Sequence, residues 1–183
     1  MITVFDLETT GLLKSEGNPL SVQPHIIEIY ACQVDEDGEI QNELETYVKP
    51  PVSIPNKITK ITGIRDEHVA NAPTFAEVYR KVVNVFFKSH TVVSHNLSFD
   101  EGMLINELRR LGKQYHFPYP PIKFCTVEQS LHLKGYRLKN GELYEMATGE
   151  KIEGAHRAKN DVIATYKSYK WLKGKDGLAK SAK

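Results

Sequence analysis

Met1-Ile2-Thr3-Val4-Phe5-Asp6-Leu7-Glu8-Thr9-Thr10-Gly11 is the stretch on which the fold turns. Its side chains alternate with a period of two, so Ile2, Val4, Asp6 and Glu8 fall on one face and Thr3, Phe5 and Leu7 on the other. The pattern predicts a β-strand over residues 1–9, broken by Thr9-Thr10-Gly11. Two acids at consecutive positions of one face lie about 6.8 Å apart along the backbone. Aimed inward they repel one another, whereas a hard cation with oxygen ligands would suit both. For the pair alone, an exposed acidic strand end is the plainer reading.

Working outward, Ile26, Ile27, Ile29 and Ala31 predict a second strand, and Asp35-Glu36-Asp37-Gly38 a turn into a third around residues 44–48. Pro50, Pro51 and Pro55 end this meander and open an irregular stretch that contains Ile61-Thr62-Gly63-Ile64. Thr74-Phe75-Ala76-Glu77 is a capping box, followed by Val78, Val82, Val85 and Phe86 at helical spacing. Thr91-Val92-Val93 reads as a buried strand. Ser98-Phe99-Asp100-Glu101 reads as a second capping box, opening a helix to Gly112. A fifth strand is expected at 122–125, then helices from Thr126 to Leu133, over 142–147, and through Val162, Tyr166 and Tyr169 to about Leu172. A meander followed by strands alternating with helices predicts an α/β fold, a mixed five-stranded sheet flanked by helices. One domain is expected over residues 1–172, with a basic, disordered tail over 173–183.

A chain of 183 residues with 40% hydrophobic and 26% charged side chains can bury a sizeable core. Its 24 basic and 23 acidic side chains give a net charge of +1, so any contact with a polyanion must be local. Cys32 and Cys125 offer neither a disulfide framework nor zinc-ligand spacing and read as small core residues. The first residues meet charge at Asp6 without a long apolar run. No signal peptide or membrane span is expected, and the cytoplasm is the default compartment.

The acidic pair has company. Asp100 falls in the first turn of a helix just beyond the strand that leads to Ser94-His95-Asn96, and Asp161 lies in the last helix, five residues after His156. Each alone has an ordinary alternative: a charge complementing a helix dipole, a solvated acid, a surface histidine.

Phe5-Asp6-Leu7-Glu8-Thr9-Thr10-Gly11-Leu12, Ser94-His95-Asn96-Leu97-Ser98-Phe99-Asp100 and His156-Arg157-Ala158-Lys159-Asn160-Asp161, in this order and spacing, resemble the DnaQ-like exonucleases of the DEDDh type, which include proofreading subunits and domains of DNA polymerases. Ile61-Thr62-Gly63-Ile64 with Ala72-Pro73 is similar to the family's stretch between the first two blocks. The resemblance spans residues 1–172. It implies a ribonuclease-H-like sheet and 3′ to 5′ removal of nucleotides from single-stranded ends. It further implies two divalent ions, Mg²⁺ or Mn²⁺: Asp6, Glu8 and Asp161 on one, Asp6 bridging to the second, and Asp100 supporting the second largely through water. His156 is implied as the general base, on a loop with Gly154 before it. Thr9, Leu12, Ile61, Thr62 and Ile64 would line the terminal nucleotide's pocket, with Asn96 and Phe99 near the scissile end. For Ile61 and Phe99, core packing is an equal alternative.

The wording of the motifs favours DNA ends over RNA ends and admits a DNA polymerase as partner; no membrane partner is expected. An RNA-trimming enzyme and a catalytically silent binding module are the competing readings. Basic residues cluster only locally, at Lys57 and Lys60, at Arg137 and Lys139, and at Arg157 and Lys159. Two positions depart from the family pattern: Val22-Gln23-Pro24-His25 stands where many relatives carry an acid, and Cys125-Thr126 where an Asp-Thr pair is frequent.

Overall fold

β1 (Ile2–Thr9) is the middle strand of a five-stranded sheet ordered β3-β2-β1-β4-β5. The computed structural model describes residues 1–15, 17–152, 154 and 157–181, the side chains of 175–181 excepted. β2 (Ile26–Val34) and β3 (Ile40–Tyr47) pair antiparallel on one side, and β4 (Thr91–Ser94) and β5 (Ile122–Cys125) pair parallel on the other. The turn between β2 and β3 is built on Asp35, whose carboxylate accepts the N–H groups of Asp37, Gly38 and Glu39. Parallel strands need crossovers. α1 (Asn56–Thr62), α2 (Asp66–Val69) and α3 (Phe75–Phe86) precede β4, and α4 (Leu97–Arg110) joins β4 to β5. α5 (Thr126–Lys134), α6 (Asn140–Thr148) and α7 (Ala158–Ser181) follow.

The alternation of β1 divides its side chains between two cores. Phe5 and Leu7 pack with Ile29, Ala31, Val82, Phe86, Leu104 and Leu108, under α3 and α4. Ile2 and Val4 pack on the opposite face with Tyr30, Val93, Leu143, Val162 and Leu172, under α6 and α7. Asp6 and Glu8 continue the second face, so they emerge beneath the start of α7 where the apolar layer ends.

Four local expectations change. Residues 56–69, read as irregular, form α1 and α2, between which Gly63 takes a left-handed conformation at φ 74°. Their apolar side chains are too few for a visible helical period; they are held by a third small core of Ile27, Ile54, Ile64 and Val69. The capping box at Ser98 and Glu101 does not form: Asn96, at φ 68° and ψ 49°, precedes the helix and starts it two residues earlier. Asparagine tolerates that left-handed geometry better than other non-glycine residues. α6 begins at Asn140 rather than Glu142, with Glu142 folding back onto the Lys139 N–H at 2.7 Å. Finally, α7 runs to Ser181 instead of ending near Leu172. Lys173, Lys175, Leu178 and Ala179 favour helix, and Gly174 and Gly177 weaken it without ending it.

Candidate active site

The site arises where β1 outruns β4. Their parallel register stops at Val4 and Val93, so the last turns of β1 have open space on that side, at the carboxyl ends of two parallel strands. Asp6 and Glu8 project there from β1. Asp161, in the first turn of α7, joins them: one carboxylate oxygen from each of the three lies within 4.8 Å of the others. Asp100 stands just outside this trio, 2% exposed, and receives the hydroxyl of Ser94 and the backbone N–H of Leu7. The first turn of α4 thus carries an acid to the end of the strand that precedes it.

Crowding of acids shifts their protonation. Burial, then the charges of Asp100, Asp161, Glu8 and Glu28, hold Asp6 well above the usual carboxylate range. Burial and the charges of Asp161, Glu28 and Asp100 push Glu8 up to about 8, against a smaller opposing pull from Arg157. Burial pushes Asp100 up to about 8 despite the hydrogen bonds from Ser94 and Leu7. Convergent carboxylates that oppose one another in this way are a poor resting charge distribution and a good oxygen donor set for a divalent cation.

The trio opens on a cleft of about 660 Å³, whose walls include Leu7, His95, Phe99, Lys139, Asn140 and Lys151. Asn140 donates its amide to the Asp161 carboxylate at 3.2 Å and to the Asp161 carbonyl at 3.0 Å, and receives Thr165. His95 bridges Thr126 at 2.8 Å and the Leu138 carbonyl at 3.1 Å, and burial depresses its ring to about 4. Glu28, 4% exposed on β2, binds the Arg157 guanidinium at 2.8 and 3.1 Å and the Ala158 N–H at 3.2 Å. Sequence reasoning missed Asn140, His95 and Glu28 as parts of the site. Glu28 carried a signal, being a lone charge in the apolar run Ile26-Ile27-Glu28-Ile29; Asn140, in a polar loop, carried none.

The other sequence-derived positions are dispersed. His156 lies outside the described residues; beside it, Gly154 takes φ 64° and its carbonyl receives the Asn160 amide at 2.8 Å. Phe99 is on the cleft wall. Asn96 is held by Arg137 at 2.6 Å. Leu12 is 77% exposed, and Ile61 is exposed on α1. Thr9 turns its hydroxyl to the Gly11 carbonyl at 2.7 Å, and Thr62 lies buried with its hydroxyl on the Ile58 carbonyl. Ile64 is 0% exposed and belongs to the third small core, so the pocket-lining reading gives way to support from beneath. Of the locally clustered basic residues, Arg157 and Lys159 face Glu28, Glu43 and Glu45 across the sheet.

A family model described as exonuclease matches residues 3–169. The chain belongs to the exonuclease family. Within it, the chain is 36% identical over 164 residues to the PolC-type DNA polymerase III of Clostridium perfringens (strain 13 / Type A), covering 88% of this chain and 10% of that protein. It is 32% identical over 163 residues to the DNA polymerase III subunit epsilon of Treponema pallidum (strain Nichols), covering 87% of this chain and 70% of that protein. The chain therefore spans about a tenth of the PolC-type relative and most of the epsilon relative. The fold superposes on Exonuclease X in complex with 5′ overhanging duplex DNA with a TM-score of 0.68, at 23% identity, over 97% of this chain and 93% of that one. The exonuclease part of the resemblance holds, and the mixed five-stranded sheet flanked by helices is present as expected. Exonucleases of this type use divalent metals, and the acidic trio fits that chemistry. Among the described residues, no helix is long and apolar enough to cross a membrane.

Proposed function

We propose that this chain is a divalent-metal-dependent 3′ to 5′ exonuclease that hydrolyses phosphodiester bonds at single-stranded DNA ends, releases nucleoside monophosphates one at a time, and serves proofreading beside a DNA polymerase. The observation that carries the reading is the convergence of Asp6, Glu8 and Asp161 at the mouth of the cleft. The names of the PolC-type and epsilon relatives favour DNA and a polymerase partner.

Asp6, Glu8 and Asp161 would hold one Mg²⁺ or Mn²⁺, and Asp6 with Asp100 a second. Bound there, the ions supply Lewis acidity toward the scissile phosphate and activate the attacking water. The chain's own residues do the rest. Asn140 keeps one oxygen of Asp161 occupied, which orients the carboxylate toward Asp6 and Glu8. Ser94 and the Leu7 N–H fix Asp100 in one rotamer. A ring nitrogen of His156 takes the proton from the attacking water as general base. Phe99 on the cleft wall, with Asn96, would contact the strand near the scissile end, and Thr9, Thr62 and the exposed Leu12 and Ile61 would line the terminal nucleotide's pocket. Apolar and aromatic contact tolerates any base, so removal is independent of sequence. Lys139 and Lys151 put positive charge on the same wall.

The test is incubation of 3′-labelled and 5′-labelled single-stranded DNA with the purified chain under Mg²⁺, Mn²⁺ and chelator, beside Asp6→Ala and a matched RNA strand. Stepwise shortening from the 3′ end that needs metal and is absent in the variant is expected. Trimming of RNA but not DNA would move the substrate to RNA, and inertness on both would make the chain a binding module.

A further inference from the structure

We infer that Glu28 and Arg157 form a positioning pair for Asp161, setting the metal site from the far side of the helix start. The inference rests on the exonuclease reading above and adds two residues to it.

One buried carboxylate holds both residues at the threshold of α7. Glu28 accepts the Arg157 side chain at 2.8 and 3.1 Å, and through its other oxygen the N–H of Ala158, the first residue of the helix, at 3.2 Å. The first helical turn is then built on Arg157, because the Asp161 N–H donates to the Arg157 carbonyl at 3.1 Å. Fixing Arg157 and Ala158 therefore fixes the height and rotation of Asp161 one turn later. Asn140 grips Asp161 from α6, so the residue is held between two elements. The arrangement also explains a cross-strand oddity. Glu28 sits directly opposite Glu8 in the β1–β2 register, a placement that repels unless one partner is neutralised, and Arg157 supplies the counter-charge.

Two features separate this from ordinary stapling. The rest of α7 is anchored without the pair, by Val162, Tyr166, Tyr169 and Leu172 in the core, so the helix has reason to stay docked when the pair is lost. In addition, Arg157 does not line the cleft; its guanidinium lies between Glu28 and the Tyr47 ring, 5.6 Å from the ring centre. It is therefore placed to act through Asp161 and not on a phosphate.

The experiment compares the wild type, Arg157→Lys and the charge-neutral double variant Glu28→Gln/Arg157→Gln, reading Mn²⁺ affinity by calorimetry, kcat and KM on single-stranded DNA, and Tm in chelator. In the double variant, net charge is unchanged and the Ala158 N–H keeps an acceptor, so the readouts report the lost fork. Mn²⁺ affinity should weaken about tenfold and kcat should fall by a similar factor. KM for DNA should stay within about twofold, and Arg157→Lys should fall between wild type and double variant. Unchanged Mn²⁺ affinity with a lowered Tm would reduce the pair to a structural staple and overturn the inference. A raised KM with unchanged kcat would make Arg157 a substrate contact and overturn it too. A wild type that neither binds Mn²⁺ nor shortens DNA would instead remove the exonuclease reading, and the positioning role with it.

Discussion

Glu8 on β1 and Glu28 on β2 face one another directly across the antiparallel pairing, at the end of the sheet where Asp6, Asp100 and Asp161 also gather. Without metal, burial and mutual repulsion raise Glu8 and Asp100 to about 8, from ordinary values of 4.5 and 3.8. The folded state thus holds protons that the unfolded chain has released across that window. Stability from these groups is fully present below their unfolded values and is lost as pH rises through about 8. The expected outcome in chelator is a Tm that falls as pH climbs from about 6 to about 8.5, with Mn²⁺ abolishing the fall and releasing protons as it binds. Thermal denaturation across a pH series, with and without metal, checks this; a Tm that climbs in chelator over the same range would contradict the crowding.

The same electrostatics predict a trade between stability and turnover at Asp6. Its carboxyl is pressed toward neutrality, by burial first and then by four neighbouring acids. Asp6→Asn keeps the shape and removes the charge, so the metal-free protein should gain on the order of 1 kcal/mol, or roughly 2–4 °C in Tm. Cleavage should fall by about 10³-fold, because the residue proposed to be shared between both ion positions could no longer bind them as a carboxylate. A variant less stable than wild type in chelator would show that Asp6 is not under strain.

Much of this was legible beforehand, for physical reasons. A strand with two-residue alternation announces its faces, and β1 displayed its acids on the face that turned out to lie beneath α7. The amphipathic period behind Thr74 likewise announced α3, and its capping box formed with Glu77 on the Thr74 N–H at 2.7 Å. What stayed hidden depends on distant partners. α1 and α2 are short and owe their place to a small core with Ile27 and Ile54. Asn96 starts α4 through a backbone conformation that no hydrophobic pattern encodes. Arg157 and Lys159 could be seen as basic, but their pairing with acids more than a hundred positions away in β2 and β3 could not. Of the site, the three acids that meet were visible in the sequence; Asn140 and Glu28, which orient Asp161 directly or through the helix start, needed the fold.

His95 makes a separate prediction about acid. Its Nε2–H must donate to the Leu138 carbonyl, which leaves Nδ1 to accept the Thr126 hydroxyl, a neutral ring satisfied at both nitrogens. Burial accordingly lowers it to about 4 from an ordinary 6.5. The unfolded chain takes up a proton there before the folded one does, so the contribution is present above about 6.5 and lost as pH falls toward about 4, at most about 3 kcal/mol. His95→Gln should be less stable than wild type at pH 7, having lost ring packing, yet show a shallower loss between about pH 6.5 and 4. Equal slopes in urea denaturation at the two ends of that range would assign the acid sensitivity to other groups.

The proton-accepting role proposed for His156 predicts a rate that rises with pH for a reason separable from metal binding. A general base must be neutral, and an unperturbed imidazole titrates at about 6.5, so kcat should climb from about pH 5.5 and level off near pH 8. The raised carboxylates also favour metal binding at higher pH, so the two effects coincide at low metal. Saturating Mn²⁺ at every pH removes the binding limb, and single-turnover measurement on saturating single-stranded DNA isolates chemistry from product release. Under those conditions the wild type should keep a limb of unit slope, while His156→Ala should lose about 10²- to 10⁴-fold in rate and show no such limb. An Ala variant that retains the wild-type pH profile at a reduced rate would place the titrating base elsewhere and leave His156 with a positioning role.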